Sequence, residues 1–88
     1  MVRKRSSEGV MADMLKVAIA GAKKTKLVYR ANLNFKLVEQ YLEQALKTDL
    51  VEHVEATRTY HTTKKGTKFI EAYDNLEAFM QVEDEVVG

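Results

Sequence analysis

Eighty-eight residues, 45% of them hydrophobic, suffice for one domain with one small core and leave few buried positions for a catalytic cleft. The chain has no cysteine, which excludes disulfides, a thiolate zinc site and a Cys nucleophile and fits an intracellular setting. Its net charge of +1 conceals segregation: residues 1–30 carry eight Lys/Arg against two acids, residues 31–56 two against five, residues 57–68 four against none, and residues 69–88 none against six. Charge divided in this way is the footprint of a protein with one polyanion-facing side.

Arg3, Lys4 and Arg5, followed by the small apolar run Val17 to Ala22, loosely imitate a secretion signal, but Glu8, Asp13 and Lys16 interrupt it. The apolar run is also far shorter than the roughly 20 residues of a membrane span. A soluble, unprocessed protein is expected, cytoplasmic and with a flexible basic arm at its start.

Met11, Met14, Leu15, Ala18, Ile19 and Ala22 recur at helical spacing, predicting a first helix from about Ser7 to Gly21, with Ser6 and Ser7 as cap residues. Thr25 is the expected N-cap of a short second helix containing Leu27, Val28 and Ala31. Asn32 suits the left-handed residue that ends it, and Asn34 suits the cap of the third helix, which leaves a three-residue turn. From Asn34 to about Thr48, Phe35, Val38, Tyr41, Leu42, Ala45 and Leu46 form an apolar stripe. Rotation by about 100° per residue puts Lys36, Gln40, Glu43, Gln44 and Lys47 on the opposite side.

After Asp49 the period shortens to two, and a hairpin fits, with its tip near Thr57 and Arg58. No Asn-Gly or Asp-Gly marks the tip, so the register stays open. Thr63 caps a last helix starting at Lys64, in which Phe69, Tyr73, Leu76 and Met80 follow heptad steps over about two heptads. The expected fold is mainly α with a small β-hairpin, a winged helix-turn-helix of order α-α-α-β-β-α. Residues 1–66 form the winged-helix unit with its basic arm and residues 67–88 the C-terminal helix, within a single domain.

That order presents one helix to a major groove and a wing to the neighbouring backbone. Lys23, Lys24, Lys26 and Arg30 surround the second helix, and Arg58 with Lys64, Lys65 and Lys68 supplies a second basic cluster. The run Lys24-Thr25-Lys26-Leu27-Val28-Tyr29-Arg30-Ala31-Asn32-Leu33-Asn34-Phe35, with Tyr41-Leu42 beyond it, closely resembles the core motif of archaeal winged-helix proteins of the Sulfolobus "ten-a" chromatin type and related predicted archaeal transcription regulators. Tyr60-His61-Thr62-Thr63-Lys64-Lys65-Gly66 is similar to that family's entry into its last helix, and the resemblance spans roughly residues 5–80. It implies that Thr25, Tyr29 and the Asn32-Leu33-Asn34 turn set the geometry between the second and third helices, with Tyr29 and Leu33 packing inward and Phe35 a hydrophobic anchor. Where relatives tend to carry Lys or Arg on the third helix, this chain has Glu39 and Glu43.

Together these features predict a DNA-binding regulator or nucleoid-associated chromatin protein. Arg3, Lys4, Arg5, Lys23, Lys24, Thr25, Lys26, Arg30, Asn34, Lys36, Arg58, Lys64 and Lys65 form its double-stranded DNA face, and Gln40 and Gln44 are the candidates for base contact. Phe69, Ile70, Tyr73, Leu76, Phe79 and Met80 are the expected homodimer surface. The alternative is a protein-interaction module that uses the acidic face of the third helix. His53 and His61 lack metal-ligand spacing and read as ordinary wing residues, and the carboxylate pairs and scattered glycines fit exposed surface. No enzyme activity, cofactor, metal or small-molecule substrate is expected, and RNA binding is disfavoured because the sequence marks no exposed aromatic platform.

Overall fold

In a computed structural model describing residues 6–87, the element order is α1 (Ser7–Ala18), α2 (Lys24–Arg30), α3 (Phe35–Lys47), β1 (Val51–Val54), β2 (Thr59–Thr62) and α4 (Lys64–Val87). Arg3, Lys4 and Arg5 lie outside the described residues.

Each boundary has a local cause. Ser6 caps α1, its hydroxyl accepting from the Gly9 N–H at 3.0 Å. The helix stops at Ala18, and Gly21, at φ 89°, takes a left-handed conformation that redirects the chain. The turn leaves Ile19 55% exposed, off the apolar stripe to which its spacing assigns it. The N-cap of α2 is Lys23, with no side-chain cap, so the expected cap Thr25 stands inside the helix with its side chain exposed. Asn32, at φ 57°, ends the α2 region as expected, although the turn also includes Ala31 and so runs one residue longer. Asn34 caps α3 through its side-chain oxygen, 2.8 Å from the Leu37 N–H.

The core draws on every helix and on β1. Met14 and Leu15 of α1, Leu27 of α2, Val38, Leu42 and Ala45 of α3, Val51 of β1 and Ile70 of α4 are buried together, and Leu33 packs against them. The hairpin is antiparallel, with Val51 opposite Thr62, Glu52 opposite His61, His53 opposite Tyr60 and Val54 opposite Thr59. An additional bridge pairs Ala22 with Tyr60 through N–H···O bonds of 3.0 and 2.8 Å, attaching the α1–α2 connection to the hairpin's second strand.

Thr63 joins the end of α3 to the start of α4. Its hydroxyl donates to the Asp49 carbonyl at 2.6 Å and accepts from the Gly66 N–H at 3.0 Å, which is the expected cap. Gly66 sits where a Cβ would collide with the Leu50 carbonyl oxygen and come within 2.6 Å of Thr62 Cγ2, so the close approach of α4 to the α3–β1 junction requires glycine. The helix then runs on to Val87, past the two heptads ending at Met80, because residues 81–87 contain neither Gly nor Pro. At about 1.5 Å per residue its 24 residues span roughly 36 Å. Lys16 and Asp74 fasten α1 to α4 at 2.9 Å, and that hydrogen bond raises the lysine's pKa above its ordinary value. No helix among the described residues is long and apolar enough to cross a membrane.

Candidate nucleic-acid interface

Because the Ala22–Tyr60 bridge holds the residue before Lys23 against β2, the start of α2 faces the hairpin across an open cleft of about 630 Å³. Lys23, Lys24 and Thr25 line it from the start of α2, His53 and Tyr60 from the strands of the hairpin, and Glu55 and Arg58 from its tip. The tip is the four-residue loop between Val54 and Thr59, closed by an Arg58 N–H to Glu55 carbonyl contact of 3.2 Å. Arg58 adopts φ 56°, a left-handed conformation rare for a residue with a side chain and often found at functional positions.

The solvent face of α3 carries Lys36, Gln40, Glu43 and Lys47, all exposed and clustered within one side of the helix. Glu43 pairs with Lys47 at 3.9 Å one turn on, and Glu39, on the flank toward α2, lies 3.4 Å from Lys24 Nζ. The two acids of α3 thus each face a lysine. On α2, Lys26 and Arg30 stand one turn apart and exposed. Tyr29 is 81% exposed and does not pack inward as the family resemblance implies. It lies about 200° around the helix from Leu27, the one residue of α2 that is fully buried. Phe35, expected as an anchor, is 49% exposed at the first position of α3.

Not all the expected contact residues converge. Asn34 is engaged as the α3 cap. Gln44 lines a different groove of about 340 Å³ between α1, α3 and α4, together with Met11, Tyr41, Lys65 and Phe69. The second basic block divides: Arg58 is at the hairpin tip, while Lys64 and Lys65 follow its base, four strand residues or about 13 Å away. On α4, Ile70 is 7% exposed and belongs to the protomer's own core, with Phe69 packed against it, so neither joins the exposed stripe. Leu76, Phe79 and Met80 do form one, at 58%, 67% and 49% exposure, with Tyr73 half-buried before them.

His53, Tyr60 and Glu55 enter the cleft without having been marked by sequence. The signal that would reveal them is the hairpin register, which sets His53 opposite Tyr60 with ring centroids 4.5 Å apart and planes at 28°.

Residues 4–81 match the family model described as winged helix-turn-helix. The chain belongs to the winged helix-turn-helix family. Its fold is shared with Sso10a-2, described as a DNA-binding protein from Sulfolobus solfataricus: the TM-score is 0.74 at 22% identity, over 94% of this chain and 93% of that one. No curated protein matches the sequence. In this winged helix-turn-helix protein α2 and α3 are the paired helices and the β1–β2 hairpin is the wing.

Proposed function

We propose that this winged helix-turn-helix protein binds double-stranded DNA as a nucleoid-associated regulator or chromatin protein. One observation carries the reading: Lys23, Lys24, Thr25 and Arg58, from two distant parts of the chain, converge on one cleft, and Lys24 links it to Glu39 on the flank of α3. Lys36 and Gln40 on α3 reach the major groove, Gln40 with the bidentate amide suited to an adenine edge. Lys23, Lys26, Arg30 and Arg58 hold phosphates on either side. Arg3, Lys4 and Arg5, outside the described residues, add cationic charge by sequence, while Lys64 and Lys65 serve a more distant stretch of backbone. The DNA-binding description of Sso10a-2 supports this reading, and no step in it requires catalysis.

The exposed Leu76, Phe79 and Met80 of α4 are the contact through which two copies pair. The alternative, a protein partner docking on acidic α3, is weakened by the pairing of Glu39 with Lys24 and of Glu43 with Lys47, which leaves no unopposed acidic patch there.

The test is a fluorescence-anisotropy titration of a labelled duplex at two salt concentrations, comparing the wild type with a Lys23→Glu, Lys26→Glu variant. Affinity should fall steeply with salt, by about 0.9 log units per log unit of salt for each phosphate contact, and the variant should lose at least about tenfold. Binding that is salt-independent, or equal in the two proteins, would remove the proposal.

A further inference from the structure

The cleft contains more than a phosphate requires. A backbone phosphate needs cations and donors, yet the lining here also includes two aromatic rings, stacked on each other, and Glu55, whose carboxylate repels phosphate. His53 and Tyr60 are a directly opposed cross-strand pair on the hairpin face that also carries Val51, which is 2% exposed. That face begins in the core and continues into solvent: Tyr60 packs against the core while His53 is exposed. Tyr60 is held on both edges, by the ladder to β1 and by the bridge to Ala22, and the His53 ring stacks on it.

We infer that the cleft seats one unpaired nucleotide, its base stacked on the outer face of the His53 ring, whose other face lies on Tyr60, and its flanking phosphates on Lys23 and Arg58, so that the protein also holds single-stranded DNA. Bases in a duplex are stacked on one another and cannot offer a face to a protein ring, whereas an unpaired base can, whatever its sequence. Glu55 then has a role that a duplex backbone would not give it, accepting a hydrogen bond from an N–H on the base edge. Single-strand binding shares cations with the proposed duplex face but depends on aromatic groups that duplex binding does not use.

The experiment measures anisotropy of labelled oligothymidine, oligouridine and a duplex at one fixed salt, for the wild type, His53→Ala and His53→Phe. His53 is exposed, so both variants should fold, and an unchanged circular dichroism melting curve verifies it. His53→Ala should weaken oligothymidine binding at least about fivefold, His53→Phe should restore it, and duplex binding should change by less than about twofold. Equal binding of oligothymidine by the wild type and His53→Ala would overturn the inference, as would an equal loss on the duplex or a preference for oligouridine. No duplex binding by the wild type, with the His53 dependence on oligothymidine intact, would overturn the duplex proposal and leave this one standing.

Discussion

The Nζ atom of Lys24 lies 3.4 Å from Oε2 of Glu39, joining the first turn of α2 to the flank of α3 beside the cleft. Both side chains are substantially exposed, at 39% and 60%, so the pair contributes little to stability, about 0–1 kcal/mol. Its larger effect is on a polyanion. A phosphate approaching Lys24 must displace Glu39 or lie beside it, and a charge at about 4 Å in water is worth about 1 kcal/mol. Glu39→Gln should therefore raise non-specific duplex affinity roughly fivefold at low salt and steepen the salt dependence, with an unchanged melting temperature. Unchanged or weaker binding in the titration would show that Glu39 does not restrain Lys24.

Arg58 separates function from stability. Its φ of 56° costs a residue with a side chain about 1 kcal/mol that glycine would not incur. Arg58→Gly should leave thermal stability equal or raised by up to about 1 kcal/mol, while duplex binding weakens and the salt slope drops by about one contact. A calorimetric scan together with a salt titration measures both.

At Gly66 the expected effect is on stability alone. Gly66→Ala places a methyl group against the Leu50 carbonyl and Thr62, shifting the start of α4 from the α3–β1 junction. Overpacking of this kind costs about 1–3 kcal/mol, and the carbonyl, being backbone, has little freedom to yield. Urea unfolding should show the midpoint fall with the slope unchanged.

The α4 stripe gives a prediction about assembly. Phe79 is 67% exposed and makes no contribution to the protomer's core, so Phe79→Asp should leave the fold intact and disrupt pairing between copies. Sedimentation should show a dimer for the wild type and a monomer for the variant, and monomers in both would exclude α4 as the contact.

The local parts of this structure were legible in the sequence because their causes are local. Asn34 as a cap, Asn32 as the left-handed residue, Thr63 at the head of α4 and the Val38–Leu42–Ala45 stripe each depend on neighbours within a turn or two. What stayed hidden depends on distance. The Ala22–Tyr60 bridge joins residues far apart in the chain, and without it nothing brings Lys23 and Arg58 to one cleft. The hairpin register, unmarked by any turn motif, decides that His53 meets Tyr60. Counting charges in blocks grouped Arg58 with Lys64 and Lys65, although a strand separates them. The periodicity of α3 identified its polar side but not that Gln44 falls on the flank toward Lys65 while Gln40 stays on the open face.

In the proposed function the start of α2, the open face of α3 and the wing tip together form the duplex-binding surface. Backbone amide chemical shifts of the labelled protein, followed as a short duplex is added, test it most directly. The largest changes should fall on residues 23–26, on Lys36, Gln40 and Lys47, and on residues 55–58, with Gly9 and Leu15 unmoved. Changes confined to the Leu76–Met80 stretch of α4, or no changes at all, would contradict it.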